Sequence, residues 1–198
     1  MRSNLMFEET LALAKKGNDQ AIERLLVPYL PALTAFVRLR LNPRVAKRES
    51  PADIVQSVCR EVISDLATVR ATDEDGFRAW LFSVTFNKVR NKHEFHHADK
   101  RNVGKDLSGS FDFGVGEEVL LSSYGRAATP SQDAAASEEI ERIEAAFAKL
   151  PTDYRDVLLH VGIAGLSYAE AGRLLEKTED SVRQLVHRAR ARLATLLD

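Results

Sequence analysis

The sequence is poor in cysteine and has no long apolar run. Its single cysteine, Cys59, excludes an internal disulfide bond and is compatible with a reducing compartment. Because Cys59 lies among apolar residues at helical spacing, we expect a small buried hydrophobe and not a nucleophile. No stretch approaches the roughly 20 apolar residues of a membrane span, and the N-terminal residues lack the apolar region of a signal peptide. The sequence therefore predicts a cytoplasmic protein with no membrane span.

The alternation of apolar and polar residues that marks a half-buried strand is missing, whereas apolar residues recur at helical spacing. We therefore predict an all-α fold. The expected helices cover 5–16, 19–41, a helix capped by Ser50 with Pro51 at its first position, about 77–95, and further helices from about 137, the last starting near Asp180. Trp80 falls at helical spacing with Phe77 and Leu81, which favours a core position over an exposed stacking platform.

The chain has little net charge, only -1, but its charges are unevenly distributed. Residues 78–105 carry seven Lys or Arg against two acids, whereas residues 106–144 carry nine acids against two arginines. Glycine and serine are frequent in the acidic part, where the helical periodicity fails. This pattern predicts two small helical modules over 1–98 and 137–198, joined by an acidic flexible linker over 99–136. Each module could bind a polyanion.

The C-terminal module has the rhythm of a helix-turn-helix unit, with a short helix, a tight turn and a longer helix. The short helix "YAEAGRLL" follows Ser167, which forms a capping-box pattern with Glu170. Gly172 inside this helix weakens the prediction, because glycine costs about 1 kcal/mol relative to alanine there. The final helix has an apolar face and an outward polar face with Ser181, Arg183, Gln184, His187 and Arg188. The second helix of such a unit lies in the DNA major groove, where Arg and Gln contact base edges.

Longer stretches of the chain resemble one protein family. "SPADIVQSVCREVISDL" followed by "GFRAWLFSVTFNKVRN" resembles the region-two core of bacterial sigma factors, and "LPTDYRDVLLHVGIAGLSYAEAGRLLEKTEDSVRQLVHRARARL" resembles their region four. A chain with only these two regions and a short linker is similar to the extracytoplasmic-function (ECF) group of the sigma-70 family. The resemblance covers most of the chain outside the linker. It implies a dissociable specificity subunit of RNA polymerase that is not an enzyme and needs no cofactor.

The resemblance also implies roles for residues of the N-terminal module. In the family, the helix matching "DIVQSVCREV" docks on the clamp helices of the polymerase β′ subunit, which makes Asp53, Gln56 and Glu61 candidate core-polymerase contacts. The following loop, "RATDEDG", and the next helix open the minus-ten promoter element and hold a flipped base. The candidate minus-ten contacts are Asn87, Lys88, Arg90, Asn91 and Lys92. Amides suit the edge of an exposed base, and cations suit the backbone of the strand.

For the C-terminal module, the resemblance implies binding to the duplex of the minus-thirty-five element. The residues that would make this contact are Ser181, Arg183, Gln184, His187 and Arg188. The partners would be core RNA polymerase, through the β′ clamp helices and the β flap, and promoter DNA. The chain departs from the family pattern at Ala171 and Gly172 and at Asp180, and these departures concern promoter preference more than role. The sequence leaves open whether an anti-sigma factor also binds.

Two other functions stay open at this level. "HEFHH", residues 93–97, matches the H-E-x-x-H pattern of zinc metalloproteases, with His93 and His97 as ligands and Glu94 as general base. Its neighbours are charged and a third ligand is not evident, so we expect no metal. The other alternative is a helix-turn-helix regulator that binds duplex DNA without polymerase. That function would leave the N-terminal basic helix without a role.

Overall fold

The computed structural model describes residues 2–41, 49–96 and 134–197. Every regular element in these ranges is helical, which confirms the predicted all-α fold. The N-terminal ranges contain α1 (Arg2–Lys15), α2 (Asp19–Leu26), α3 (Leu30–Arg40), α4 (Pro51–Asp65) and α5 (Glu74–His96), with 3-10 turns at Val27–Tyr29 and Leu66–Thr68. The C-terminal range contains α6 (Ala134–Ala148), α7 (Thr152–Leu158), a π-helical turn (Leu159–Ile163), α8 (Tyr168–Leu175) and α9 (Glu179–Leu197).

The helix predicted over 19–41 is interrupted near its middle. Pro28 and Pro31 lie there, and proline lacks the amide hydrogen that a helix interior needs. The chain forms a 3-10 turn at Val27–Tyr29 and then continues as α3. The prediction of one continuous helix was wrong. Apolar residues keep their helical spacing across the 3-10 turn, so the periodicity gave no sign of the break.

Side-chain caps fix the starts of α4 and α5. Ser50 Oγ accepts a hydrogen bond from the amide of Asp53 at 3.1 Å, and the Asp53 carboxylate accepts one from the amide of Ser50 at 3.3 Å. This capping box confirms the predicted start of α4. α5 begins at Glu74, earlier than predicted, because the Asp73 carboxylate accepts a hydrogen bond from the amide of Gly76 at 2.7 Å. The loop "RATDEDG", expected to help hold a flipped base, therefore ends inside α5.

Aromatic rings form the centre of the N-terminal module. Phe36 of α3 and Phe82 of α5 are buried, with ring centroids 5.4 Å apart. Phe77 is also buried, and its ring lies 5.7 Å from that of Trp80, which is half-buried against the core. Cys59 is half-buried as well, and burial raises the pKa of its thiol. These contacts favour the packing roles expected for Trp80 and Cys59.

The turn between α8 and α9 depends on Gly172. A Cβ atom at this position would lie 2.7 Å from the carbonyl oxygen of Lys177, closer than real Cβ contacts allow. Glu176, with φ of 55°, ends α8 in the left-handed conformation. The interpretation of Gly172 as a weakness was therefore wrong, because glycine lets the turn pack directly on α8. Ser167 and Glu170 form the predicted capping box at the start of α8.

The two groups of helices pack against each other through α3 on one side and α6 and the π-helical turn on the other. Arg40 Nε lies 3.0 Å from Asp156 Oδ1, and both side chains are almost fully buried. Nearer to solvent, Arg38 Nε lies 2.8 Å from Glu144 Oε1. Two ion pairs therefore join the N-terminal helices to the C-terminal helices.

The predicted linker, 99–136, lies mostly outside the described residues. α6 begins at Ala134, inside that range and ahead of the expected module boundary at 137. The module boundaries and the flexibility of the linker stay predictions.

Candidate nucleic-acid interface

α9 separates an apolar face from a polar face, as its sequence pattern predicts. The buried residues of α9 are Val182, Val186, Ala189 and Leu193. The exposed predicted residues are Arg183, Gln184, His187 and Arg188. Ser181 is only half-buried, and its amide donates to Thr178 Oγ1 at 3.2 Å in the cap of α9. The structure thus brings four predicted minus-thirty-five residues onto one exposed surface and places Ser181 at its edge.

Three neighbours hold the guanidinium group of Arg183. Its Nη2 lies 3.1 Å from Glu179 Oε1, and its Nη1 lies 3.3 Å from Asp180 Oδ1. Its Cζ lies 5.7 Å from the ring centroid of Tyr168 on α8, within the range of a cation–π contact. These three residues are not among those predicted from the sequence. Glu179 and Asp180 could have been found from the sequence, because they precede Arg183 by four and three residues in the same helix. Tyr168 lies on another helix and had no such sequence signal.

Arg188 and Arg192 extend the basic surface along α9. Both side chains are exposed, and neither forms an ion pair with another described residue. Their spacing of one helical turn places them on one side of the helix. Guanidinium groups in this position are free to meet phosphate oxygens.

A second exposed polar surface lies on α5. Asn87 and Asn91 are exposed and one helical turn apart. Arg90 is exposed beside them, and its Cζ lies 5.9 Å from the ring centroid of Phe86. Lys92 is in the same helix, but its side chain is outside the described residues. The described part of α5 therefore brings two amides and one guanidinium group to the same surface.

The remaining predicted residues of the N-terminal module make contacts within the chain. Lys88 Nζ lies 2.6 Å from Glu61 Oε2, so a predicted DNA contact pairs with a predicted polymerase contact. Asp53 and Gln56 are exposed on α4. Asp53 also takes part in the capping box, and Gln56 Oε1 accepts a hydrogen bond from Arg60 at 2.8 Å. Gln56 is therefore the predicted polymerase contact with the least structural role.

A buried polar cluster lies between the two groups of helices, and no sequence pattern predicted it. His160 Nδ1 donates to the carbonyl oxygen of Asp156 at 2.7 Å. The imidazole packs edge-on against Phe36 and Phe86, with centroid distances of 5.4 and 4.9 Å. Burial, with a smaller contribution from Arg40, lowers the pKa of His160 to about 4. The imidazole is therefore neutral at pH 7.

The carboxyl group of Asp156 pairs with Arg40 and also feels the positive charge of Arg155. Burial raises the pKa of Asp156 above its ordinary value, while Arg40 and Arg155 oppose that rise. Burial and the nearby charge of Arg40 lower the pKa of Arg155. Loss of the carboxylate would leave the guanidinium group of Arg40 without its partner and with little access to water.

The zinc-protease pattern is only partly described. His93 and Glu94 lie in α5, which ends at His96, and His97 is outside the described residues, as are the side chains of the other pattern residues. Among the side chains that are described, no three His, Cys, Asp or Glu residues come close enough to hold a metal ion. The pattern therefore has no support beyond the sequence.

Comparisons with known proteins identify the family. The family described as "Sigma-70, region 4" matches residues 140–193, from α6 into α9. The RNA polymerase sigma factor CnrH of Cupriavidus metallidurans is 34% identical over 188 residues, which cover 94% of this chain and 92% of CnrH. The ECF RNA polymerase sigma factor SigD of Mycobacterium tuberculosis is 26% identical over 186 residues, 94% of this chain and 81% of SigD. The chain belongs to the ECF group of the sigma-70 family.

A solved structure extends the similarity of this sigma factor across both groups of helices. The structure of CnrH in complex with the cytosolic domain of CnrY aligns with a TM-score of 0.63 and 26% sequence identity, over 96% of each chain. The prediction of an ECF sigma factor from the sequence is confirmed. Within the described ranges of the sigma factor, no helix has the length and apolar character needed to cross a membrane.

Proposed function

We propose that this sigma factor binds core RNA polymerase and directs it to promoters, where it helps melt the minus-ten element and holds the minus-thirty-five duplex. The exposed polar face of α9 carries the proposal, because its opposite face is buried in a helix-turn-helix unit. Such a unit presents its second helix to the major groove. The polar side chains of α9 match the acceptors and donors of base edges there. Nucleotide addition would be the work of the polymerase, and the sigma factor would contribute binding alone.

The exposed surface of α5 supports the minus-ten half of the proposal. The amides of Asn87 and Asn91 can hydrogen-bond the edge of an unpaired base, and Arg90 can bind the backbone of the strand. Lys92 would add a further positive charge along α5. We therefore assign minus-ten binding to residues 1–98 and minus-thirty-five binding to residues 137–198.

The exposed face of α4 is the proposed docking surface for the β′ clamp helices. Asp53 and Gln56 lie on this face, and Glu61 is partly accessible. A polymerase group that binds Glu61 would compete with its ion pair to Lys88. Docking would then release a positive charge beside the proposed DNA-binding surface. The C-terminal module would meet the β flap.

A partner protein that holds the sigma factor away from polymerase is also part of the proposal. The solved CnrH structure contains the cytosolic domain of CnrY, and this chain aligns with almost all of CnrH. We therefore expect an anti-sigma protein to bind this sigma factor in the cytoplasm, where it would meet polymerase.

The decisive test is capture of core polymerase by the purified protein, followed by run-off transcription from genomic fragments of its host. Stoichiometric capture and discrete new start sites are expected. Gln56→Ala should weaken capture, whereas Gln20→Ala, a matched change at an exposed residue of α2, should not. No capture combined with autonomous duplex binding would favour the simple regulator. No capture combined with bound zinc would favour the zinc-metalloprotease alternative at "HEFHH".

The DNA-binding half has its own test in the holoenzyme. Replacing Arg183 or Arg188 with alanine should lower occupancy of the minus-thirty-five duplex, by about 1 to 3 kcal/mol for a residue that contacts a base. Quantitative footprinting measures the occupancy. If both variants occupy the promoter like the unchanged protein, α9 does not read this element through its arginines.

A further inference from the structure

Two carboxylates stand at the start of a helix whose other exposed groups are mainly basic. The Asp180 side chain is 83% exposed, and that of Glu179 is 51% exposed. Acids in the first turn stabilise a helix through its dipole, but at a DNA surface they also repel phosphates. Asp180 also pairs with the nearest arginine of the exposed face, its Oδ1 lying 3.3 Å from Arg183 Nη1. Its place beside Arg183 indicates a role in contacting bases.

The chemistry of the major groove limits what a carboxylate can contact there. Only the amino groups of cytosine and adenine donate hydrogen bonds in the major groove, and Asp or Glu accepts from cytosine N4. Arginine donates to the O6 and N7 acceptors of guanine. The first residues of a recognition helix are those that contact base edges. Asp180 and Arg183 therefore have complementary tasks at the same end of α9.

The spacing of these residues fits neighbouring base pairs. Three residues of α-helix rise about 4.5 Å, compared with about 3.4 Å between successive base pairs. Asp180 Oδ1 is engaged by Arg183 Nη1 at 3.3 Å. The second oxygen of the carboxylate is left to accept from a base, and the guanidinium group keeps further donors.

We propose that Asp180 and Arg183 act as one reading unit that selects a cytosine and a guanine at adjacent base pairs of the minus-thirty-five duplex. This inference rests on the proposed function of α9. Glu179 and Tyr168 are positioning residues, because they hold the guanidinium group through an ion pair of 3.1 Å and a ring contact of 5.7 Å. Arg188, which forms no ion pair with another described residue, binds phosphate.

The test is selection of duplexes from a library randomised at the minus-thirty-five element, with the holoenzyme and with the sigma factor alone. Sequencing of bound duplexes gives the preference at each position. The unchanged protein should prefer cytosine beside guanine by at least about fivefold at each position, the factor that corresponds to 1 kcal/mol. Asp180→Ala should abolish the cytosine preference. Asp180→Asn should replace cytosine with adenine, because asparagine pairs with adenine N6 and N7.

Glu176→Gln is the matched control, since it removes an exposed acid near the same turn without touching Arg183. Both changes remove a negative charge and should lessen phosphate repulsion equally on all duplexes, but only the Asp180 variants should change base preference. Equal preferences in the unchanged protein and Asp180→Ala would overturn the proposal and leave Asp180 with a helix-dipole role. Selection of duplexes by the protein alone, without capture of polymerase, would reject the sigma-factor function and still decide the role of Asp180. No selection in either experiment would overturn both proposals.

Discussion

The substitution Asp156→Ala removes the carboxylate that joins the two groups of helices. Asp156 Oδ1 lies 3.0 Å from Arg40 Nε, and only 11% and 12% of the two side chains are exposed. The variant would leave the buried guanidinium group of Arg40 without its ion-pair partner. Removing one partner of a buried ion pair costs about 3 to 5 kcal/mol. Because Arg40 belongs to α3 and Asp156 to α7, we expect this cost to weaken the packing between the groups more than the packing within either.

Small-angle X-ray scattering and circular dichroism together measure this effect. Asp156→Ala should increase the radius of gyration while the helical signal is retained. Arg38→Ala is the control, because its pair with Glu144 is about one-third exposed and is worth about 1 kcal/mol or less.

Replacing the pair by Arg40→Met with Asp156→Leu should keep the packed arrangement, since apolar side chains of similar size can replace a buried ion pair. An unchanged radius of gyration in Asp156→Ala would refute the argument that this ion pair holds the helices together. Loss of the helical signal would also refute it, by showing that the carboxylate supports the C-terminal helices themselves.

Two further predictions concern stability. Gly172→Ala should lower the free energy of unfolding by about 1 to 3 kcal/mol, because its Cβ would press on the Lys177 carbonyl oxygen. Urea titration measures this free energy, and an unchanged value would contradict the prediction. The depressed pKa of His160, about 4, means that the unfolded chain binds the proton first, so stability should fall by about 3 kcal/mol as pH drops from 6.5 to 4. Urea titrations at each pH should show a smaller fall in stability for His160→Gln than for the unchanged protein. An equal fall in both proteins would contradict the assignment of this pH dependence to His160. The raised pKa of Asp156 acts in the opposite sense in both proteins.

Local chemistry made much of the fold predictable from the sequence. The caps at Ser50 and Ser167 each depend on an acid three residues later, so both ends of the signal lie within one helical turn. The polar face of α9 follows in the same way from helical periodicity. The starts and faces of these helices could therefore be derived without knowledge of their neighbours.

Contacts between distant parts of the chain could not be derived in this way. Arg40 and Asp156 are ordinary charged residues in their own helices, and only the packing of α3 against the C-terminal helices makes their charges interdependent. Gly172 is similar, because its penalty within a helix is a local property while its contact with Lys177 arises from the turn. The sequence predicted Lys88 and Glu61 as contacts to different partners, and the fold pairs them.

The size of the packed arrangement makes its opening a requirement of the proposed function. A compact chain of this length has a radius of gyration of about 16 Å and is about 40 Å across. Elements centred at minus ten and minus thirty-five are about 25 base pairs apart, or about 85 Å along duplex DNA. The surfaces of α5 and α9 therefore cannot reach both elements while Arg40 and Asp156 stay paired. If separation limits assembly, Asp156→Ala should associate with core polymerase faster than Arg38→Ala in a stopped-flow experiment. Equal association rates would mean that the helices separate only after polymerase has bound.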